Sequence, residues 1–320
     1  MQPLPFDSTR IKGLLSNQVA ANKGNTLLNI VLTVLEIVAP VFLLAAVGFA
    51  WVKLGFEYRL EFVTRLAMTL AVPCLIFTAL VNTTLDPAAL TAVSLASLVA
   101  YAGVSVAVLL LVALLRLDRR TFAAPLIFGN TGNLGLPLAL FAFGEVGLEY
   151  AVVVFAVMAI ISFTFGIWLV AGQGSFGKVV REPLVWATVL GALFLWQGWR
   201  LPVFADNTLR LIGQMAIPLL LITLGVAVAR LSPGGMGRAV ALSAVKLAIC
   251  VACGWAAATW FDLDRAAFGV LVVQVATPVA VTSYMLAEKY GADAQAVAGL
   301  VVASTLMSVA ALPLLLAVLL

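Results

Sequence analysis

Two apolar stretches of this chain are interrupted by Gly, Pro and amide or hydroxyl side chains. The first reads FGNTGNLGLP from Phe128 to Pro137, and the second reads QVATPVAVTSY from Gln274 to Tyr284. Gly and Pro weaken or break a helix, and an Asn amide without a partner is costly in hydrocarbon. Each break would leave free N–H groups at one helix start and free C=O groups at one helix end. The N–H ends favour an anion, whereas the carbonyl ends favour a small cation or a donor group.

The side chains at the first break suit an anion without a fixed positive charge. Asn130 and Asn133 can each donate hydrogen bonds to a carboxylate. The alternative is that Asn130, Thr131 and Thr277 only cap the broken helices. Capping needs one polar side chain per helix end, and the first stretch has more than that, so we favour a binding site.

The residue types exclude most catalytic chemistry. The chain has no histidine, which excludes His-based acid–base catalysis and His-ligated zinc or haem. Cys250 and Cys253 form a C-x-x-C pattern without His or acidic neighbours, so we interpret them as small core residues. We find no acidic metal motif and no nucleophile paired with a base. We therefore predict no catalytic residue, no metal site and no enzyme activity.

Three further polar residues fall inside apolar stretches. Glu36 and Lys246 are candidates because a charge within a membrane is usually functional. Both lie near a predicted helix end, so our preferred interpretation is that they reach the headgroup layer. A deeper Glu36 would be the best proton-coupling group. Gln274 could give an oxygen to a cation site or cap the second break. Glu36 and Gln274 are thus the candidates for ion coupling, by H⁺ or Na⁺, and no organic cofactor is expected.

The composition places these residues in a membrane protein. Of the 320 residues, 64% are hydrophobic and 10% are charged, whereas soluble domains are about half apolar and a quarter charged. The net charge of +4 bears on orientation rather than on a nucleic-acid partner, which we do not expect. A helical span needs about 20 apolar residues. By that rule roughly ten runs qualify, at 31–52, 62–82, 92–115, 122–143, 148–171, 183–199, 206–229, 239–260, 266–287 and 294–319.

The two halves of the chain resemble each other. AVPCLI around Pro73 resembles AIPLLL around Pro218, 145 positions later. Leu-Asp-Arg occurs at 117–119 and again at 263–265, 146 positions later, and the second offset also aligns the threonines of the two interrupted stretches. Because each half has an odd number of runs, the second half would enter the membrane upside down.

We therefore predict an all-α integral membrane fold. It has ten transmembrane helices in two inverted five-helix repeats, with helices 4 and 9 as broken crossover helices. The predicted parts are a polar N-terminal tail, the first repeat, a cytoplasmic linker and the second repeat, at residues 1–30, 31–171, 172–182 and 183–320.

Basic residues in alternate connections predict the orientation. One set of connections contains Lys53, Arg59, Arg116, Arg119, Arg120, Lys178, Arg181, Arg230, Arg238 and Lys289. The other set has little beyond Arg200 and Arg265. The first set should be cytoplasmic, which places both termini outside the cell membrane. The basic tail residues Arg10, Lys12 and Lys23 point the other way.

These motifs resemble the auxin efflux carrier family, in a compact prokaryotic form without a long hydrophilic loop. GNTGNLGLP at 129–137 is similar to that family's fourth-span signature, and ATPVA at 276–280 with YMLAEKYG at 284–291 is similar to its ninth span. The segment IPL at 217–219 is similar to its seventh span. The resemblance covers nearly the whole chain from residue 31.

The resemblance implies the fold of the bile acid–sodium symporters and an elevator-type mechanism. Spans 1, 2, 6 and 7 would form a scaffold, and spans 3–5 and 8–10 would form a mobile transport domain. It implies an organic-anion substrate such as a mono- or dicarboxylate, bound at Asn130 and Asn133, with Pro137 and Pro278 at the crossing. Together with the residues above, the predicted substrate site is Asn130, Thr131, Gly132, Asn133, Pro137, Thr277, Pro278 and Val279.

The predicted function is secondary transport of small organic anions, by efflux or exchange. The other partners are membrane lipid and, from the resemblance alone, a second copy in a homodimer. The alternatives are a cation/proton antiporter of related fold, which would need carboxylates at the crossing, and a membrane sensor that transports nothing.

Overall fold

A computed structural model of the protein describes residues 26–171, 183–231 and 235–320. In these ranges every regular element is a helix, and seven helices are long and apolar enough to cross a membrane. Two shorter apolar helices accompany them. The predicted linker at 172–182 and nearly all of the predicted tail at 1–30 lie outside the described residues.

We number the helices in chain order and count a helix that only bends as one element. They are α1 Thr26–Lys53, α2 Leu60–Val81, α3 Pro87–Leu114, α4 Arg119–Ile127, α5 Thr131–Ala171, α6 Pro183–Gln197, α7 Val203–Arg230, α8 Met236–Trp260, α9 Arg265–Val275, α10 Val281–Tyr290 and α11 Ala294–Leu319.

The helices follow the apolar runs, including the two predicted interruptions, with one informative difference. The ninth run is two helices, α9 and α10, and the fourth is broken between α4 and α5, as the Gly and Pro residues predicted. The end of the fourth run and the whole fifth run share the single element α5. At Gly144, with φ 69° and ψ −159°, this element turns sharply rather than ending.

Close helix packing depends on glycine at two facing positions. Gly48 of α1 lies against the backbone of Ile222 in α7, and Gly225 of α7 lies against the backbone of Ala45. A Cβ atom at either glycine would collide with a carbonyl group of the other helix. Membrane helices that lack a hydrophobic driving force between them use small residues in this way to bring their backbones into contact.

Two connections of the chain have the same local geometry. Asp118 caps α4 by accepting hydrogen bonds from the N–H groups of Arg120 and Thr121, and Asp264 caps α9 in the same way. Two residues before each cap, Arg116 has φ 51° and Asp262 has φ 47°. Over the described ranges these two are the only residues other than glycine with positive φ. They are 146 positions apart, which is the offset of the Leu-Asp-Arg motif.

Candidate functional site

The two interrupted stretches cross each other in extended conformation. Gly129 and Val279 form an isolated antiparallel β-bridge. Next to it, the backbone N–H of Asn130 donates to the carbonyl of Pro278 at 2.7 Å. Gly129 is needed here because a Cβ atom would collide with the hydroxyl of Thr277. We call the segments 128–130 and 276–280 the crossing.

Neighbouring groups satisfy part of the free backbone at the crossing. The Thr277 hydroxyl donates to the carbonyl of Gln274 at 2.7 Å, in the last turn of α9. The N–H of Val279 donates to the hydroxyl of Ser304 in α11 at 2.9 Å. The Thr277 side chain therefore stabilises a helix end, which is the capping role that we weighed against ligand binding.

The polar side chains that begin α5 have no such role. Asn130 is 5% exposed and Thr131 is fully buried, yet the Nδ2 of Asn130 and the Oγ1 of Thr131 have no hydrogen-bond partner in the described part of the chain. Neither side chain caps the helix. A buried donor without a partner costs about 1–3 kcal/mol. The structure thus retains two costly groups at a helix start, where an anion would satisfy them.

A cavity adjoins the crossing on the side of Asn133. This half-buried residue lines it together with Thr64 of α2, Thr223 of α7 and Thr282 of α10, and the cavity volume is about 30 Å³. This volume accommodates roughly two waters. Four helices that are distant in sequence therefore bring one amide and three hydroxyl groups to the same cavity.

The other residues of the predicted substrate site have packing positions. Gly132 lies against the ring of Phe155, which a Cβ atom would approach to 3.1 Å. Pro278 lies within the crossing, where its carbonyl accepts the hydrogen bond from Asn130. Pro137 is not at the crossing, because the break ends at Asn130 and Pro137 lies in the α-helical part of α5, beyond its first turn.

Lys246 lies at the crossing, and our prediction that it reaches the headgroup layer is wrong. Its side chain is 2% exposed, and its Nζ donates to the carbonyl of Thr277 at 2.8 Å. The physical reason is depth, because α8 begins at Met236 and Lys246 stands near the middle of its 25 residues. The available sequence signal was that Lys246 is the only charged residue between Arg238 and Asp262.

The two candidates for ion coupling occupy different surroundings. Gln274 is fully buried, and neither its Oε1 nor its Nε2 has a partner among the described residues. Its amide lies against Gly135, where a Cβ atom would collide with the Oε1. Gln274 therefore does not cap the break through its side chain. Glu36 is exposed on α1, away from the buried crossing.

A second, more open cavity contains charged residues that the sequence reasoning did not single out. It has a volume of about 640 Å³ and includes Asn82, Glu145, Glu149 and Arg210 in its lining. Arg210 pairs with Asp206 at 2.8 Å. This cavity lies between α2, α5 and α7, at the end of the molecule where Glu149 accepts a hydrogen bond from Thr83.

The known proteins that this chain resembles are described as transporters. The model of a family described as membrane transport protein matches residues 33–180 and 175–316. An uncharacterized transporter of Methanothermobacter thermautotrophicus is 28% identical over 192 residues, covering 58% of this chain and 63% of the relative. An uncharacterized transporter of Methanocaldococcus jannaschii is 25% identical over 199 residues, covering 57% of this chain and 62% of the relative. The chain thus matches less than two thirds of the length of either relative.

Proposed function

Because the chain belongs to the membrane transport protein family, the family of the auxin efflux carriers, we propose that it is a secondary transporter of small organic anions such as mono- or dicarboxylates. The observation that carries the anion class is the start of α5. Asn130 and Thr131 have buried polar atoms there that lack a partner within the described ranges, and Asn133 lines the adjoining cavity. Helix starts favour negative charge, and Lys246 adds a positive group at the same crossing.

The proposal includes ten membrane spans in two inverted repeats. The matching caps at Asp118 and Asp264 support it, as do the positive φ angles of Arg116 and Asp262. Helix pairing supports it too, because α1 packs on α7 whereas α6 packs on α2. In span numbers, the first pair is span 1 with span 7, and the second pair is span 6 with span 2. Exchanging the first five spans with the last five converts one pair into the other. The crossing of two broken helices is typical of substrate sites in such folds.

We further propose an elevator-type mechanism, in which α3–α5 and α8–α11 move against a scaffold of α1, α2, α6 and α7. The cavity beside Asn133 supports this division, since Thr64 and Thr223 would belong to the scaffold and Asn133 and Thr282 to the moving part. A substrate bound to Asn133 would therefore lie at the boundary between the two bodies.

The proposed location is the cell membrane with both termini outside. Several basic connections contact one another. Arg120 donates to the carbonyls of Val170 and Tyr290, and Arg230 donates to that of Tyr58. The guanidinium group of Arg238 lies over the ring of Phe122, which brings the two groups of contacts to the same end of the molecule. Clustering at a single end is what the positive-inside rule requires of cytoplasmic loops. Lys178 and Arg181 lie outside the described residues.

The test of the proposed function is carboxylate uptake into proteoliposomes by Asn130→Ala and Asn133→Ala. Each change removes an amide that we assign to the substrate, so uptake should fall at least about tenfold, the equivalent of 1.4 kcal/mol. Both variants should remain folded, because neither amide is used in a described hydrogen bond to the rest of the protein.

The matched control is Asn207→Ala, which removes an exposed amide from α7 and should transport like the wild type. Wild-type uptake by both crossing variants would refute the site. Absence of uptake and of ligand-induced stabilisation for every mono- and dicarboxylate tested would favour the antiporter or the sensor instead. Within the described residues no carboxylate lines the cavity beside Asn133, which disfavours the antiporter.

A further inference from the structure

Lys246 is a positively charged side chain held inside the protein without a carboxylate partner. The two ion pairs in the described ranges are Arg59 with Glu57 and Arg210 with Asp206, and neither includes Lys246. Burying a lone charge is costly unless other groups compensate for it. A neighbouring group must therefore stabilise the positive charge of the Lys246 ammonium.

The compensating group is the carbonyl end of a broken helix. The Nζ of Lys246 donates to the carbonyl oxygen of Thr277, just beyond the end of α9. The carbonyl end of a helix has the charge equivalent of roughly half an electron, which favours a cation. The only other described partner of Nζ is the Sγ of Cys250, at 3.6 Å.

The hydroxyl groups of three serines, on α8 and α11, lie near the same place. Ser243 of α8 and Ser304 and Ser308 of α11 line a small cavity together with Lys246 and Thr277. The hydroxyl of Ser243 is buried and has no hydrogen-bond partner among the described residues. Carbonyl and hydroxyl oxygens are ligands that small alkali and alkaline-earth cations prefer. The cavity volume of about 10 Å³ leaves room for about one water beside the lysine.

We infer that the side chain of Lys246 occupies a cation site at the crossing and makes the protein independent of Na⁺ and K⁺. The ammonium group stands where a transported cation would otherwise bind the carbonyl of Thr277. The inference rests on the proposed function, anion transport. In that transport, the ammonium group of Lys246 would take the place of a free Na⁺ or K⁺. It also implies that removing the side chain creates a site for a free cation.

The experiment compares Lys246→Ala with Lys246→Met in purified protein. Alanine vacates the space beside the Thr277 carbonyl, whereas methionine fills much of it with an uncharged chain. Unfolding temperature is measured in NaCl, KCl and choline chloride at equal ionic strength, and ²²Na⁺ binding is measured in parallel. We expect Na⁺ or K⁺ to raise the unfolding temperature of Lys246→Ala by about 3 °C or more relative to choline. Neither cation should change that of Lys246→Met or of the wild type.

The matched control is Lys289→Ala, which removes an exposed lysine from the last turn of α10 and should show no cation effect. The inference is overturned if the wild type is stabilised by Na⁺ or binds ²²Na⁺ saturably, a result that needs no variant to fold. A folded Lys246→Ala that responds to neither cation would overturn it as well. The unfolding temperature and ²²Na⁺ binding are measured without substrate. A failure of the proposed carboxylate transport would therefore appear in the uptake assay and leave these two measurements unchanged.

Discussion

Three side chains at or against the first turn of α5 have four buried polar atoms without a partner in the described part of the chain. They belong to Asn130, Thr131 and Gln274, and each is costly to keep in a membrane protein. Replacement by an apolar residue would be the simplest stabilising change at any of the three positions. Under the proposed function, a ligand would satisfy them during transport.

Gln274→Met should therefore stabilise the protein and weaken transport. Methionine matches glutamine in length and removes two unsatisfied groups next to Gly135, so unfolding should require about 1–3 kcal/mol more. Chemical unfolding and proteoliposome uptake measure the two effects. The exposed Gln214 provides a control, because Gln214→Met should change neither quantity appreciably. A variant that is stabilised and transports normally would show that Gln274 has no functional contact.

At the scale of elements, helices meet where side chains are smallest or absent. Gly48 and Gly225 bring the backbones of α1 and α7 into contact. At the crossing, Gly129 lets two extended segments pair beside Thr277. In both places glycine is required for close approach, and its conformational freedom is secondary, since none of the three has positive φ.

Gly225→Ala should destabilise the pairing of α1 with α7. The new methyl group would meet the carbonyl of Ala45, and overpacking of a close contact costs about 1–3 kcal/mol. Gly237→Ala is the control, because Gly237 is exposed in the first turn of α8 with nothing nearby. That change should be neutral or stabilising by up to about 1 kcal/mol. Equal thermal stabilities of the two variants would contradict this account of the helix contact.

At the scale of the whole molecule, the proposed mechanism requires one group of helices to slide past another. The cavity beside Asn133 spans the proposed boundary, with Thr64 on one side and Thr282 on the other. Asn82 and Asp206 both belong to the proposed scaffold and are joined by a hydrogen bond of 2.9 Å. The pair Thr64 and Thr282 therefore spans the proposed boundary, whereas the pair Asn82 and Asp206 lies within the scaffold.

A cross-link across the boundary should stop transport. In a background with its cysteines replaced, Thr64→Cys with Thr282→Cys is treated with a short bifunctional methanethiosulfonate, which joins the two thiols through reducible disulfide bonds. Uptake should fall at least about tenfold and recover on reduction, because the two bodies can no longer separate. The same treatment of Asn82→Cys with Asp206→Cys should leave uptake unchanged. Full uptake by the cross-linked Thr64–Thr282 pair would refute the proposed division.

Much of the fold could be predicted because a membrane restricts the choices. Long apolar runs must be helices, since hydrocarbon leaves no other partner for the backbone. The breaks at Gly129 and Pro278 were also predictable, because glycine weakens a helix and proline removes a backbone hydrogen bond from it. Ends of helices were less predictable. The predicted run at 239–260 begins three residues after the observed start of α8 at Met236, so the prediction placed Lys246 nearer to a helix end than it is.

The sequence by itself determined the membrane class, the helical runs, the two interruptions and the absence of histidine chemistry. These follow from residue type and local spacing, which act over a few turns of chain. Only the tertiary structure decided which groups meet at the crossing. The contact between Lys246 and Thr277 joins residues 31 positions apart, and the cavity beside Asn133 draws on four helices. Such contacts depend on helix depth and rotation, and these are set by packing among distant helices.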